Sequence, residues 1–130
     1  AVLSFRNAPS GTYYIEIRHR NSIETWSKAN GVSLSSGNSV SYNFSNAASQ
    51  AFGNNMAQVN VSPVRFAIFS GDVNQDGIID ASDLSQVEND ASNSLSGYIV
   101  TDLNGDNFAD ASDVSIVENN LTLGVSKIVP

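Results

Sequence analysis

Two different periodicities divide the chain. In residues 11–20 apolar and polar positions alternate, with Tyr13, Ile15, Ile17 and His19 on one face and Tyr14, Glu16, Arg18 and Arg20 on the other. That is the period of a half-buried antiparallel strand. Val2, Leu3 and Phe5 make a brief apolar start before it, and Asn21 and Ser22 turn the chain into a strand over residues 23–27. Val32 and Leu34 mark another strand, and Val40, Tyr42 and Phe44 alternate again. Residues 47–52 have room for one helical turn, and residues 56–61 and 64–69 complete the set, with Pro63 breaking them apart. Six or seven short strands separated by Gly, Ser and Asn predict a β-sandwich, Ig-like or jelly-roll-like, over residues 1–69.

From Ser70 the order becomes loop, helix, linker, loop, helix. Leu84 and Val87 share one side of a segment over residues 83–90, and Val114, Val117 and Leu121 do the same in a second copy. Ser82 and Ser112 offer natural helix starts, with aspartate in the first turn favoured by the helix dipole. Helices of two to three turns do not persist alone, so their apolar stripes must pack on each other and on the sandwich. The expected architecture is mainly β with short helices, divided into residues 1–69 and 70–130.

The two loops carry the chemistry. Residues 71–83 read GDVNQDGIIDASD and residues 101–113 read TDLNGDNFADASD. Counting from Asp72, side-chain oxygens fall at positions 1, 3, 5, 9 and 12, as Asp72, Asn74, Asp76, Asp80 and Asp83. The second copy repeats them as Asp102, Asn104, Asp106, Asp110 and Asp113. A hard cation such as calcium takes six to eight oxygens, and a 12-residue loop wraps it with every second side chain plus a backbone carbonyl at position 7, here Ile78 or Phe108. Four carboxylates so close would repel one another without a cation between them. Asx-rich turns use the same residue types, but two copies in register point to two calcium ions. Compared with a full EF-hand loop, position 12 is Asp in place of Glu, and position 6 is Gly77 in one loop but Asn107 in the other. Asn is the next best residue after Gly for a left-handed backbone, so the second loop is expected intact but somewhat strained.

Charge follows the same division. Residues 1–69 carry Arg6, Arg18, Arg20, Lys28 and Arg65 against Glu16 and Glu24, whereas residues 70–130 set Lys127 against eleven acids, eight of them loop aspartates. The acidity therefore belongs to the loops, and with no basic stripe interleaved with aromatics, nucleic acid is not an expected partner. The chain has no cysteine, hence no disulfide framework or thiolate site. No apolar run reaches transmembrane length. Loops of this kind fill where calcium is plentiful, which points outside the cell or to the periplasm. Asn43, Asn60 and Asn120 each head an Asn-x-Ser/Thr tripeptide, a pattern common by chance in so Asn-rich a chain. Ala1 is expected to be a processed or excised end.

The duplicated unit resembles a dockerin, the calcium-loop module of bacterial extracellular proteins, whose pattern is Asp-x-Asn-x-Asp-Gly-x-x-Asp-x-x-Asp followed by one helix, twice. Residues 70–130 match it at every ligand position, with Asn107 alone off pattern. The copies also agree at Ser85/Ser115, Val87/Val117, Glu88/Glu118 and Asn89/Asn119. The resemblance implies calcium-dependent folding, attachment to a cohesin β-sandwich through the helices, and an extracellular or cell-surface place in a bacterium. It also implies that selectivity lies at positions 10 and 11, which are Ala81 and Ser82, and Ala111 and Ser112. The preceding residues look like a β-module found before such repeats in bacterial surface proteins.

Against this reading stand four others, the plainest being a passive calcium-stabilised C-terminal cap. An apolar start with no polar lead would leave a sandwich edge open, so residues 1–6 are expected to pair with, or be completed by, another copy of the chain, building a filament. Trp26, Tyr13, Tyr14 and Tyr42 raise a sugar-stacking platform, though aromatics on strands usually fill a core. Catalysis finds no support: there is no cysteine nucleophile and no Ser-His-Asp arrangement, and the clustered carboxylates are assigned to metal. His19, the sole histidine, is expected in a core or an interface, and Glu88 and Glu118 on a solvated face.

Overall fold

The structure is a computed structural model that describes Phe5 and residues 7–130. The expected pairing of residues 1–6 with a second copy therefore lies, Phe5 apart, outside the described residues.

The strands are where the alternation puts them, but they are shorter and their pairing differs. β1 (Gly11–Tyr13) pairs antiparallel with β4 (Val32–Leu34), β2 (Glu16–His19) with β3 (Ser22–Trp26), and β5 (Ala57–Val61) with β6 (Val64–Ala67). These are three separate two-stranded sheets, and no closed sandwich forms among the described residues. The alternating stretch 11–20 is not one strand. At its middle Ile15 donates its N–H to Ser27 Oγ at 2.9 Å and accepts from Ser27 N at 2.8 Å, and the two halves go to different partners. Residues 40–43 are not a strand either. Asn43 Oδ1 accepts from Ser45 N at 2.9 Å and starts a 3-10 turn at Phe44–Asn46, a local bond that competes with strand pairing. Two further 3-10 turns, Ala48–Gln50 and Phe52–Asn54, occupy the stretch expected to make one helical turn.

A sandwich also needs apolar faces turned on each other, and here the best-buried strand residue is spent elsewhere. Ile23 is fully buried in a cluster with Val73, Ile79, Val87, Val117 and Val125, flanked by Leu84, Val114 and Leu121. The core thus belongs to the loop-helix pair, with one strand residue of the first half inserted into it.

The helices are α1 (Ala81–Ser92) and α2 (Ala111–Thr122), each 12 residues long. Their caps are Asp80 and Asp110, not Ser82 and Ser112. Each cap aspartate accepts from the N–H two residues on, and Asp83 or Asp113 reaches back to the cap's own N–H in a reciprocal box. The aspartates win because the loop delivers them, extended, one residue before the helix begins. Val87 and Val117 are fully buried, as the helical spacing predicts.

The halves are stitched at their junction. Ile23 N donates to Phe69 O at 2.9 Å, and Gly71 N donates to Asn21 O at 2.7 Å. Further along, Asn55 Nδ2 donates to Ser126 O at 2.9 Å, and Thr25 bridges in parallel to Ile128. Within the loop-helix pair the connections are reciprocal. The segment after α2 closes the first loop, with Ile79 N donating to Val125 O at 2.9 Å and Lys127 N to Gly77 O at 2.8 Å. The segment after α1 closes the second, with Ala109 N donating to Leu95 O at 2.9 Å and Gly97 N to Asn107 O at 2.8 Å.

Candidate calcium loops

The alternating oxygens fold each loop by a ladder of side-chain turns. In the first loop Asn74 Oδ1 accepts from Asp76 N at 2.8 Å, Asp76 Oδ1 from Ile78 N at 3.0 Å, and Asp80 Oδ1 from Ser82 N at 2.8 Å. The second loop repeats these with Asn104 and Asp106 N at 2.8 Å, Asp106 and Phe108 N at 3.0 Å, and Asp110 and Ser112 N at 2.8 Å. Each bond spans two residues, so every second side chain turns back on the loop. Asn74 Nδ2 then ties position 3 to Asp76 Oδ2 at 3.0 Å and to Ser82 Oγ at 2.8 Å.

Position 12 draws the ends together. Asp83 Oδ1 accepts from Val73 N at 2.8 Å and Asn74 N at 3.1 Å, while Oδ2 accepts from Asp80 N at 3.0 Å. Asp113 does the same with Leu103 N at 2.7 Å, Asn104 N at 3.1 Å and Asp110 N at 3.0 Å. Both aspartates are fully buried. Their carboxylates hold the loop closed from inside, a structural duty that the spacing alone did not show.

Two positions in each loop need a left-handed backbone. Position 6 is Gly77 at φ 93° and Asn107 at φ 73°, and position 4 is Gln75 at φ 62° and Gly105 at φ 84°. Each loop therefore has one glycine and one residue with a side chain in this region, at exchanged positions. The strain expected of the second loop at Asn107 is matched in the first at Gln75, which sequence reasoning missed. Gln75 compensates by donating from Nε2 to Asp72 O at 2.6 Å.

The residues present fit a cation. Asp72 is buried, and its Oδ1 has no hydrogen-bond partner among the described residues. Its carboxyl is pushed above the ordinary range by burial first, and then by the charges of Asp83 and Asp76. A buried carboxylate with one oxygen unpaired, repelled by two nearby charges, lacks positive charge. Asp80 and Asp110 are the reverse: the Ser82 and Ser112 hydroxyls, and then those residues' N–H groups, pull them below the usual range. The Ile78 and Phe108 carbonyls take no hydrogen bond among the described residues. No three acidic side chains converge as a ready-made cage among those residues, because their oxygens are turned to the backbone donors just described.

The four positions implied for partner selectivity lie exposed on the first turns of α1 and α2. Ser82 is partly committed to its loop, donating to Asp80 Oδ1 at 2.7 Å, and Ser112 donates likewise to Asp110. Ala81 and Ala111 carry no such duty. A groove of about 600 Å³ beside Ala111 is lined by Glu88, Asn89, Ser92, Asp110 and Val114.

The other singled-out residues make no site. His19 is exposed, with Nδ1 2.9 Å from Asn21 Oδ1, so it lies outside the core. Tyr14 stands edge-on to both Trp26 and Phe52, and Tyr42 packs edge-on to Phe44, so these rings meet each other rather than lie flat as a sugar platform. Glu88 and Glu118 are exposed as expected. Among the described residues no helix is long and apolar enough to cross a membrane.

Residues 70–122 match the family model of the dockerin type I domain, which covers both loops and both helices. Domains of this type bind calcium and are non-catalytic attachment modules, typically extracellular, whose partners are cohesins. No significant match was found among curated proteins or among solved structures.

Proposed function

We propose that the dockerin type I module of this chain is a calcium-loaded attachment module binding a cohesin-like β-sandwich, and that the chain itself is not an enzyme. The first ion would be held by Asp72, Asn74, Asp76, the Ile78 carbonyl, Asp80 and Asp83. The second would be held by Asp102, Asn104, Asp106, the Phe108 carbonyl, Asp110 and Asp113. Bound calcium supplies the positive charge that the buried carboxylates lack. The observation that carries the reading is Asp72 Oδ1, buried and partnerless beside Asp76 and Asp83.

In this reading residues 70–130 are the attaching unit and residues 1–69 a β-rich support that lends Ile23 to its core. Ala81, Ser82, Ala111 and Ser112 present the same pair twice on related helix starts, which favours a partner seated in either of two orientations. The reading carries an extracellular or cell-surface location in a bacterium, where calcium is abundant. Self-assembly into a filament would rest on residues 1–6, and no described contact favours it.

The test is calorimetry on the purified chain, first with calcium and then with a panel of cohesin modules, with and without chelator. Uptake of two ions and calcium-dependent capture by at least one cohesin are expected. Two ions bound with no cohesin captured would overturn the attachment reading, and no calcium uptake would overturn the whole.

A further inference from the structure

The two loops differ at position 1, and the difference comes from outside them. Asp102, unlike Asp72, is fully engaged. Its Oδ1 accepts from Gly105 N at 2.8 Å and Asp106 N at 3.1 Å, and its Oδ2 accepts from Asn107 N at 3.2 Å. On its other side stands Arg20, in the turn just after β2, with Nη2 3.7 Å from Asp102 Oδ2 and 3.5 Å from Asp102 O. The neighbouring Asn21, itself buried, donates from Nδ2 to Asp102 O at 3.0 Å and to Val100 O at 3.1 Å. Behind the guanidinium, Cζ lies 3.9 Å from the centre of the Tyr98 ring. Arg20 Nε and Nη1 are buried with no hydrogen-bond partner among the described residues. The charge is thus held by Asp102 and the face of Tyr98.

A half-buried guanidinium with two buried donors unspent is costly. What this one does is place a fixed positive charge against the first carboxylate of the second loop. The first loop has Lys127 lying across Gly77, but among the described residues that lysine makes no ion pair with a loop carboxylate.

We propose that Arg20 makes the two calcium sites unequal: it stands in for part of the cation's charge at the second loop, so that the first loop fills first and the second fills only at higher calcium. The proposal rests on the calcium reading above and goes beyond it. A like charge a few ångströms from an ion lowers its affinity. The same charge, with Asn21, keeps the second loop folded while it waits. The β-rich half therefore sets the calcium threshold of the attaching half.

Each loop has its own reporter, the backbone amide of Gly77 in the first and of Gly105 in the second. Two-dimensional amide NMR during a calcium titration follows both in one sample of the full chain. In the wild type the Gly77 signal is expected to move at lower calcium than the Gly105 signal. In Arg20→Gln the Gly105 midpoint is expected to fall roughly tenfold, the order set by removing a nearby like charge, with Gly77 unmoved. Arg20→Lys, which keeps the charge, should stay near wild type.

Coincident midpoints in the wild type overturn the proposal, even if Arg20→Gln fails to fold. So does an Arg20→Gln variant whose Gly105 midpoint is unchanged or raised, or an Arg20→Lys variant that tightens as Gln does, which would make the effect one of packing. If neither amide responds to calcium, the calcium reading falls with it, an outcome separate from two responsive amides that move together.

Discussion

Ile79, at the eighth position of the first loop, donates its N–H to the carbonyl of Val125, beyond the second helix, at 2.9 Å. Because Ala109 makes the matching bond to Leu95, each loop is closed by a segment that follows a helix, and the first loop depends on the segment that follows the second helix. Val125 is also buried in the core.

Val125→Ala should therefore act on the first loop before the second. Loss of two buried methyl groups costs about 2 kcal/mol. Amide hydrogen exchange should show Ile79 losing protection while Ala109 keeps most of its own. Equal loss at both would mean that the closures are not separate.

Ile23→Ala removes a fully buried side chain shared by the two halves, at an expected cost of about 2–5 kcal/mol. Denaturant unfolding of the calcium-loaded chain, followed by Trp26 fluorescence for the β-rich half and by helical circular dichroism for the rest, should give coincident curves that shift together. Two separated curves, with only the fluorescence shifted, would show that the halves fold independently.

Asp72→Asn should have opposite effects with and without calcium. In the calcium-free protein the Asp72 carboxyl is raised by burial and by Asp83 and Asp76, so the folded state holds its proton more tightly than the unfolded chain. By linkage, stability from this group is full below the unfolded value and falls as pH rises from there through the raised folded value. The amide removes that loss, so with chelator at neutral pH the variant should melt higher than wild type. With calcium it should melt lower, having lost a ligand. Asp80 and Asp110, pulled down by their serines, work the other way, their contribution fading only as pH falls through the lowered values. Thermal melts over pH 3–7, with and without chelator, separate the two behaviours.

On the partner face, Ala81→Arg and Ala111→Arg each place a bulky charge on an exposed helix start without touching the serine bonds that Asp80 and Asp110 need. If a partner seats in two orientations, either change alone should leave affinity within about twofold, since half the binding modes survive. The pair together should abolish binding. Calorimetry showing loss from one single change, and none from the other, would mean one orientation only.

The loop-helix unit was legible because its constraints are local. Asn74, Asp76 and Asp80 each bond two residues ahead, and Val87 and Val117 repeat at helical spacing, so sequence distance and spatial distance nearly coincide. The β-rich half was less legible for the opposite reason. The alternation of residues 11–20 is real, but whether it makes one strand or two depends on Ser27, 12 residues from Ile15. Nothing in the pattern around Ile23 says that it packs on helices built from residues far downstream. Position 4 of the loops escaped notice because Gln75 does not announce a left-handed turn, and Arg20 because its partner, Asp102, lies 82 residues away.

The bonds from Ile23 N to Phe69 O and from Gly71 N to Asn21 O straddle the point where the sequence changes character. They leave no slack spacer there, so the attaching face has no leash on which to swing. Whatever it captures would be presented at a fixed bearing to the β-rich half, and the chain would act as a bracket rather than a tether.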